Sequence, residues 1–315
     1  MKKQISYKDI SELANVSIST ISRYYNKGYV SKKTREKIEE VVKRYQYFPN
    51  HGARLIRGKD NSIFVIMPVW GDSAYTHIVN GIIAASKKSN RRVNTTYTGV
   101  STQEYINTVR YILSWRPTSI VIFIPQYDKE LFDFLKTIED VSIVVYGHQV
   151  NGVNWIKPDE STAFYLMTKK FHSLMKDNDK MLFLSDLKLS PVQIQDRWRG
   201  FVQACNELGV IYEEYTIPAK KKQKDIIEFD KYTRKFGFSN IVCSSHEAYI
   251  SLAVIGTRGL RLSDIGYSSI YDSINNYKIK IFIDYAKIGL EIEKMLIIHN
   301  AEGKNQGKII KLDIL

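Results

Sequence analysis

The stretch SYKDISELANVSISTISRYYN, residues 6–26, contains the start signals of two short helices. Ser6 followed by Asp9 fits a capping box, and Ser17 can cap a second helix after a turn at Asn15. A gap of three or four residues between two such helices is typical of a helix-turn-helix. The side chains expected to face inward are Ile10, Leu13, Ala14, Ile21, Tyr24 and Tyr25.

The stretch SKKTREKIEEVVKRYQY, residues 31–47, predicts a third helix with apolar side chains on one face. Positive charge is concentrated in this part of the chain. Residues 1–60 contain 14 Lys and Arg against 6 Asp and Glu, a net charge of +8, which is more than half of the net charge of +13 of the whole chain. A small basic three-helix module indicates a polyanionic partner, and the helix-turn-helix pattern makes double-stranded DNA the expected one.

The second helix of a helix-turn-helix lies in the major groove, and its first residues meet base edges. Ile18, Ser19 and Arg23 hold these positions. Arg can pair bidentately with guanine, and Ile can contact a thymine methyl group. The residues suited to phosphate contacts are Tyr7, Ser17, Thr20, Ser22 and Asn26.

After residue 60 the pattern changes to alternating apolar strands and amphipathic helices, which predicts parallel sheets covered by helices on both faces. The number of strands suits two such sheets, and ligands bind at the carboxyl ends of parallel strands. Residues that follow predicted strands are therefore candidate ligand contacts. They are Trp70, Asp72, Tyr75, Gln126 and His148, with Asp284 on a predicted connection between the sheets.

Several segments resemble the lactose/galactose repressor (LacI/GalR) family of bacterial transcriptional regulators. The N-terminal segments VSISTISRYYN, VSKKTREKIEEVVKRYQYFPN and ARLIRGK match closely over residues 5–59. The later segments DRWRGFVQA, SSHEAYISLAV and DIGYSSI match more weakly, and IDYAKIGLEIEKML matches the last helix. The resemblance therefore covers nearly the whole chain.

The resemblance implies an N-terminal all-α helix-turn-helix domain followed by an α/β core of two parallel-sheet subdomains, like a periplasmic binding protein. The implied domains are residues 1–48, a hinge helix or linker at 49–60, and an effector-binding and dimerisation core at 61–315. Within the core, one subdomain comprises about 61–157 and 285–302, and the other about 158–284 and 303–315. In the hinge, Leu55 falls at the position that wedges into the minor groove.

The resemblance also assigns Arg197 to the effector, which the guanidinium would grip by hydroxyls or an anionic group. His246 and Ser268 each stand where the family places an acid, and Ser245 stands where it places an amide. The cleft is therefore expected to be less acidic than a site for a free sugar, and a sugar phosphate becomes a candidate effector beside a sugar.

These features predict a cytoplasmic, homodimeric repressor of a carbohydrate-utilisation operon. A corepressor-dependent regulator and a DNA-binding dimer with a decayed sensor remain alternatives. Motifs of hydrolases, P-loop enzymes and dinucleotide-binding enzymes are not found in the sequence, so no catalytic role and no cofactor are expected. The two cysteines, Cys205 and Cys243, cannot form a four-ligand zinc site alone, and no metal is expected. Because the N-terminus has no apolar segment and no apolar run is long enough to span a bilayer, neither a secretory signal nor membrane insertion is expected.

Overall fold

A computed structural model of the chain describes residues 6–25, 28–45, 59–69, 73–175, 180–255, 259–267, 273 and 277–315. Contacts between residues divide the chain into two compact units, Met1–Asp60 and Asn61–Leu315. In the described ranges, no helix combines the length and the apolarity that crossing a bilayer requires.

The first unit contains helices α1 (Tyr7–Ala14), α2 (Ile18–Tyr25) and α3 (Lys32–Arg44). The capping box at the start of α1 is formed, because the Ser6 side chain accepts from the Asp9 N–H and the Asp9 carboxylate accepts from the Ser6 N–H. Asn15 ends α1 in the left-handed region, at φ 51°. Three residues then separate α1 from α2, which confirms the predicted helix-turn-helix geometry.

The core of this unit consists of Ile10, Ala14, Ile21 and Ile38, all buried. Leu13, which the sequence places on the same face, is instead 48% exposed. Consecutive helical residues differ by about 100° around the axis, so burying Ala14 at i+4 from Ile10 turns its neighbour toward the surface.

The first half of the second unit is a six-stranded sheet in the order β11-β5-β4-β3-β1-β2, and the strand pairs within it whose register is established are parallel. Its strands are β1 (Asp60–Pro68), β2 (Val93–Thr98), β3 (Pro117–Phe123), β4 (Ser142–Tyr146), β5 (Asn154–Pro158) and β11 (Gly307–Ile310). Its helices are α4 (Ser73–Ser86), α5 (Thr102–Leu113), α6 (Lys129–Lys136) and α11 (Tyr285–Glu302).

The second half is a six-stranded sheet in the order β12-β10-β9-β8-β6-β7, in which β12 is antiparallel to β10. Its strands are β6 (Met181–Asp186), β7 (Tyr212–Ile217), β8 (Asn240–Cys243), β9 (Arg261–Gly266), β10 (Tyr277–Phe282) and β12 (Asp313–Ile314). Its helices are α7 (Glu160–His172), α8 (Pro191–Leu208), α9 (Gln223–Phe236) and α10 (His246–Ile255). The predicted class, a helix-turn-helix domain with two parallel-sheet α/β halves, is thereby confirmed.

The chain crosses between the halves from β5 to α7, from β10 to α11 and from β11 to β12. The sequence assigned 303–315 to the second half, and this assignment needs correction. Gly307–Ile310 pairs with β5 of the first sheet, and only Asp313–Ile314 joins the second. An apolar strand pattern does not specify which sheet edge the strand joins, and both sheets offer an edge here.

Two helix pairs pack with their backbones in close approach. A Cβ atom on Gly289 of α11 would lie 2.5 Å from the carbonyl oxygen of Ile78 on α4. A Cβ atom on Gly200 of α8 would lie 2.0 Å from the carbonyl oxygen of Ser161 on α7. Each half of the unit thus contains one helix pair that only glycine permits to pack this closely.

Replacing Gly200 by Ala should lower the free energy of unfolding by about 1–3 kcal/mol, because the new methyl group must push α7 and α8 apart. The control is Gln203→Ala, on the exposed face of the same helix, which should change the free energy by less than about 0.5 kcal/mol. Urea denaturation measures both variants. Equal stabilities of the two variants would show that α7 and α8 can separate without cost.

Candidate functional site

The first turn of α2 is exposed and carries three hydroxyl groups beside one apolar side chain. The Ser17 hydroxyl lies 2.7 Å from that of Ser19 and 2.8 Å from that of Thr20. Ser17 also accepts from the Thr20 N–H, so it caps α2 as expected. Ile18 is 50% exposed even though its side chain is large and apolar. The turn therefore presents donors, acceptors and an apolar group together.

Arg23 is also exposed, one turn further along α2, whereas Ser22 is partly buried. The other side of α2 is held against α3, because the Tyr24 hydroxyl donates to Glu39 and the Arg35 guanidinium lies 5.6 Å from the Tyr24 ring centroid. Burial and the Glu39 carboxylate raise the pKa of Tyr24. The predicted contacts Asn26, Leu55 and the side chain of Tyr7 lie outside the described residues.

A cleft lies between the two sheets of the second unit, at the carboxyl ends of their strands. Two cavities in it contain about 550 Å³ and about 350 Å³ of space between protein atoms, part of it open to solvent. The larger cavity is lined mostly by the second half, through Asp186, Lys188, Arg197, Ser245, His246, Glu247, Gly266 and Tyr267, with Ala74, His77 and Tyr285 from the first.

Arg197, at the larger cavity, is buried and already has protein partners. Its Nε and one terminal nitrogen each donate to a carboxylate oxygen of Glu160 at 2.8 Å. Its other terminal nitrogen donates to the carbonyl oxygen of Ser244, which follows β8. The guanidinium therefore joins α7, α8 and the end of β8 as well as lining the cavity.

Two acids and Lys188 line the larger cavity, and a second lysine, Lys221, contacts both acids. Asp186 accepts from the Ser245 hydroxyl and lies 2.9 Å from the Lys221 ammonium. Lys221 is also 3.5 Å from Glu247, which forms a second ion pair with Lys188. Burial alone would raise the pKa of Glu247, but the two ammonium groups outweigh it and lower that pKa.

The sequence predicts a cleft less acidic than a site for a free sugar. Among the described residues, three acids line its cavities, namely Asp186, Glu247 and Glu160. A further acid stands behind His246, whose Nδ1 lies 2.8 Å from Asp264. Asp264 also forms a buried ion pair with Lys280 at 3.3 Å.

The smaller cavity lies between Tyr75, Tyr146, His148 and Lys157 of the first half and Gln193 and Asp196 of the second. His148 is buried, and its Nε2 donates to the carbonyl oxygen of Ile124 at 2.9 Å. Burial is the main cause that lowers the pKa of His148, and the nearby Lys157 ammonium lowers it further. The neutral imidazole is thus the stable form.

The structure brings four of the predicted effector contacts to the cleft: Arg197, His246, Tyr75 and His148. Gln126 is exposed and lines neither cavity, and Asp284 caps α11 by accepting from the Lys287 N–H. Trp70, Asp72 and Ser268 lie outside the described residues.

Sequence reasoning missed Asp186, Lys188, Lys221 and Glu247. Asp186 could have been found, since it ends the buried strand β6 at the ligand-binding edge. No group of three or more His, Cys, Asp or Glu side chains suited to a metal ion occurs within the described ranges.

Replacing Arg197 by Ala should lower the free energy of unfolding by about 3–5 kcal/mol, because Glu160 keeps a buried charge without its partner. Adding Glu160→Gln to Arg197→Ala should recover part of the loss, since the buried charge is then gone. Urea denaturation of both single variants and the double variant gives the coupling free energy, expected at about 0.5–3 kcal/mol. Strictly additive losses would contradict the pairing.

Because folding lowers the pKa of His148, the unfolded chain binds the imidazole proton more tightly than the folded chain does. Protonation therefore favours unfolding once the pH falls below the ordinary histidine pKa of ~6.5. The stability contributed by the neutral imidazole should be fully present above that pH and should decrease as the pH falls below it toward about 5. In His148→Gln, which keeps a donor for Ile124, this decrease should be smaller. The urea midpoints of the two proteins at several pH values provide the comparison, and identical pH dependences would contradict the buried neutral imidazole.

Comparison with known proteins gives a consistent result. Residues 6–50 match the model of the family described as bacterial regulatory proteins, lacI family. The sucrose operon repressor of Staphylococcus xylosus is 27% identical over 160 residues, which cover 50% of this chain and 50% of that protein. Catabolite control protein B of Bacillus subtilis (strain 168) is 44% identical over 81 residues, which cover 25% of this chain and 26% of that protein. The chain thus spans about half of the first relative and a quarter of the second.

The fold of the whole chain matches the lac repressor dimer bound to operator and the anti-inducer ONPF. The TM-score is 0.83 at 17% identity, and the match covers 99% of this chain and 98% of that chain. All three proteins are named as repressors or control proteins, in agreement with the prediction of a regulator and not an enzyme. The helix-turn-helix unit, the two-sheet core and these matches together agree with the resemblance found in the sequence: residues 6–50 match the lacI family of bacterial regulatory proteins, and the whole chain has the fold of the lac repressor.

Proposed function

We propose that this chain is a sequence-specific, DNA-binding transcriptional repressor whose operator affinity depends on a small molecule bound in the cleft. The exposed first turn of α2 is the observation that carries the DNA-binding part. It presents Ile18 half exposed beside the hydroxyls of Ser17, Ser19 and Thr20, on a strongly basic unit.

In this proposal α2 enters the major groove with its first turn toward the bases. Ile18 contacts a thymine methyl group, and Arg23 pairs with guanine. The hydroxyls of Ser17 and Thr20 bind phosphate and set the register of the helix, together with Tyr7, Ser22 and Asn26. Leu55 acts as a minor-groove wedge between two copies of the chain.

We propose a homodimer, because two heads in successive grooves read a near-palindromic operator. The named relatives support this assignment. The matched lac repressor structure is a dimer on operator DNA, and another relative represses a sucrose operon. The regulated genes would accordingly serve carbohydrate use.

The charges in the cleft favour a neutral, polyhydroxylated effector such as a sugar over a sugar phosphate. The cations beside the cavities are already paired, since Lys188, Lys221 and Arg197 each contact a carboxylate. A phosphate entering there would meet Asp186 and Glu247 as well as the cations. Sugar hydroxyls both donate and accept, so they match a wall of alternating acids and ammonium groups.

Thermal unfolding in the presence of a panel of free sugars and sugar phosphates tests the effector proposal. A free sugar should raise the melting temperature, and the same sugar should alter operator binding in a titration. If only phosphorylated sugars stabilise the chain, the argument from charge is wrong. If neither class does so, a decayed sensor becomes the better description.

Arg23→Ala should reduce the affinity for the selected operator by about 1–3 kcal/mol and relax the base preference at one position. Ser22→Ala is the matched control, one residue away on the same helix, and should weaken binding about equally on all sequences. Selection of binding sites from a random duplex pool with each variant measures both effects. An unchanged preference in Arg23→Ala would place the recognition surface elsewhere.

A further inference from the structure

We propose that the ion pair between Lys157 and Asp196 is a latch across the cleft, which holds the two halves of the core at the separation found here. We further infer that breaking this latch changes operator affinity without any effector. The second statement rests on the proposed function, and the first does not.

The two partners of the latch belong to different halves of the core. Lys157 lies in β5, where its backbone is in register with Ile309 of β11 in the first sheet. Asp196 lies on α8, which packs against α7 in the second half. The Lys157 ammonium is 2.5 Å from the Asp196 carboxylate, so the contact joins the halves directly.

The surroundings of the latch make it stronger than an ordinary surface pair. The Asp196 side chain is 8% exposed and that of Lys157 is 30% exposed. Ion pairs in this partly buried setting are screened less by water and salt than exposed pairs are. The carboxylate also contacts Arg199, on its own helix, and that side chain is 60% exposed.

The position of Asp196 is fixed by its neighbour in sequence. Arg197 binds Glu160 through two hydrogen bonds, and Glu160 opens α7, three residues after Lys157. Asp196 and Arg197, which are adjacent on α8, therefore bind Lys157 and Glu160, which flank the crossover from β5 to α7. The Arg197–Glu160 pair keeps α8 against α7, and the Lys157–Asp196 pair connects α8 to the first sheet.

The latch is also within reach of a ligand, because both of its residues line the smaller cavity. Tyr75 and His148 of the first half and Gln193 of the second line the same cavity. A hydroxyl group that enters there can hydrogen-bond to Asp196 or accept from Lys157, and so compete with the ion pair. The device would thus convert occupancy of the cavity into a change of the angle between the halves.

The test uses the full-length chain with Lys157→Met or Asp196→Asn. The matched control is Arg199→Met, which removes a cation from the same carboxylate but leaves the contact across the cleft. Thr95→Cys on β2 and Lys231→Cys on α9 provide one exposed labelling site in each half. The native thiols are buried, and burial raises the pKa of Cys205 to about 12, so spin labels should attach at the new sites.

Pulsed electron paramagnetic resonance then measures the distance between the halves, with each labelled chain diluted into an excess of its unlabelled counterpart so that distances within one chain dominate. Lys157→Met and Asp196→Asn should shift or broaden the distance distribution, and Arg199→Met should keep that of the unmodified core. Wild-type distributions in both latch variants would overturn the latch.

Operator binding is measured in parallel on a duplex that the wild-type chain selects from a random pool. Both latch variants should change the dissociation constant at least ~5-fold, the lower end of usual coupling between sites, and the control variant should not. Changed distances with unchanged affinity would overturn the coupling and keep the latch. If the wild-type chain selects no duplex, the proposed function fails, and the distance measurement still decides the latch.

Discussion

The buried ion pair between Arg197 and Glu160 is the interaction on which the cleft depends. It joins the start of α7 to α8, and through Ser244 it reaches the end of β8. Both charged groups are almost completely buried, so each requires the other to compensate for the water it has lost. The same arginine that the family resemblance assigns to the effector is therefore part of the support of the site.

Charged side chains around the larger cavity are paired with one another in the same way. Asp186, Glu247 and Lys188 line the larger cavity, Lys221 contacts both acids, and these four residues come from three different connections after strands, with opposite charges facing each other. Such a wall is close to neutral yet rich in hydrogen-bonding groups. It can keep its own geometry when empty, because its members satisfy one another.

Much of the fold followed from local patterns. Capping serines, inward-facing apolar residues and alternating strands and helices are encoded within short segments, and those segments formed as expected. The partners of Arg197 and Asp186 were not predictable, because Glu160 and Ser245 are 37 and 59 residues away along the chain. The end of the chain was misassigned for a related reason. One apolar segment forms β11 in one sheet and β12 in the other, and its pattern contains no signal for that division.

The connection between β11 and β12 consists of Lys311 and Leu312 only. The three Cα–Cα steps from Ile310 to Asp313 span at most about 11 Å, so the sheet edges that they join can hardly separate. Any rearrangement of the halves must therefore be a hinge rotation about this short connection. The parts of the cleft farthest from this pivot then travel the greatest distance for a given angle.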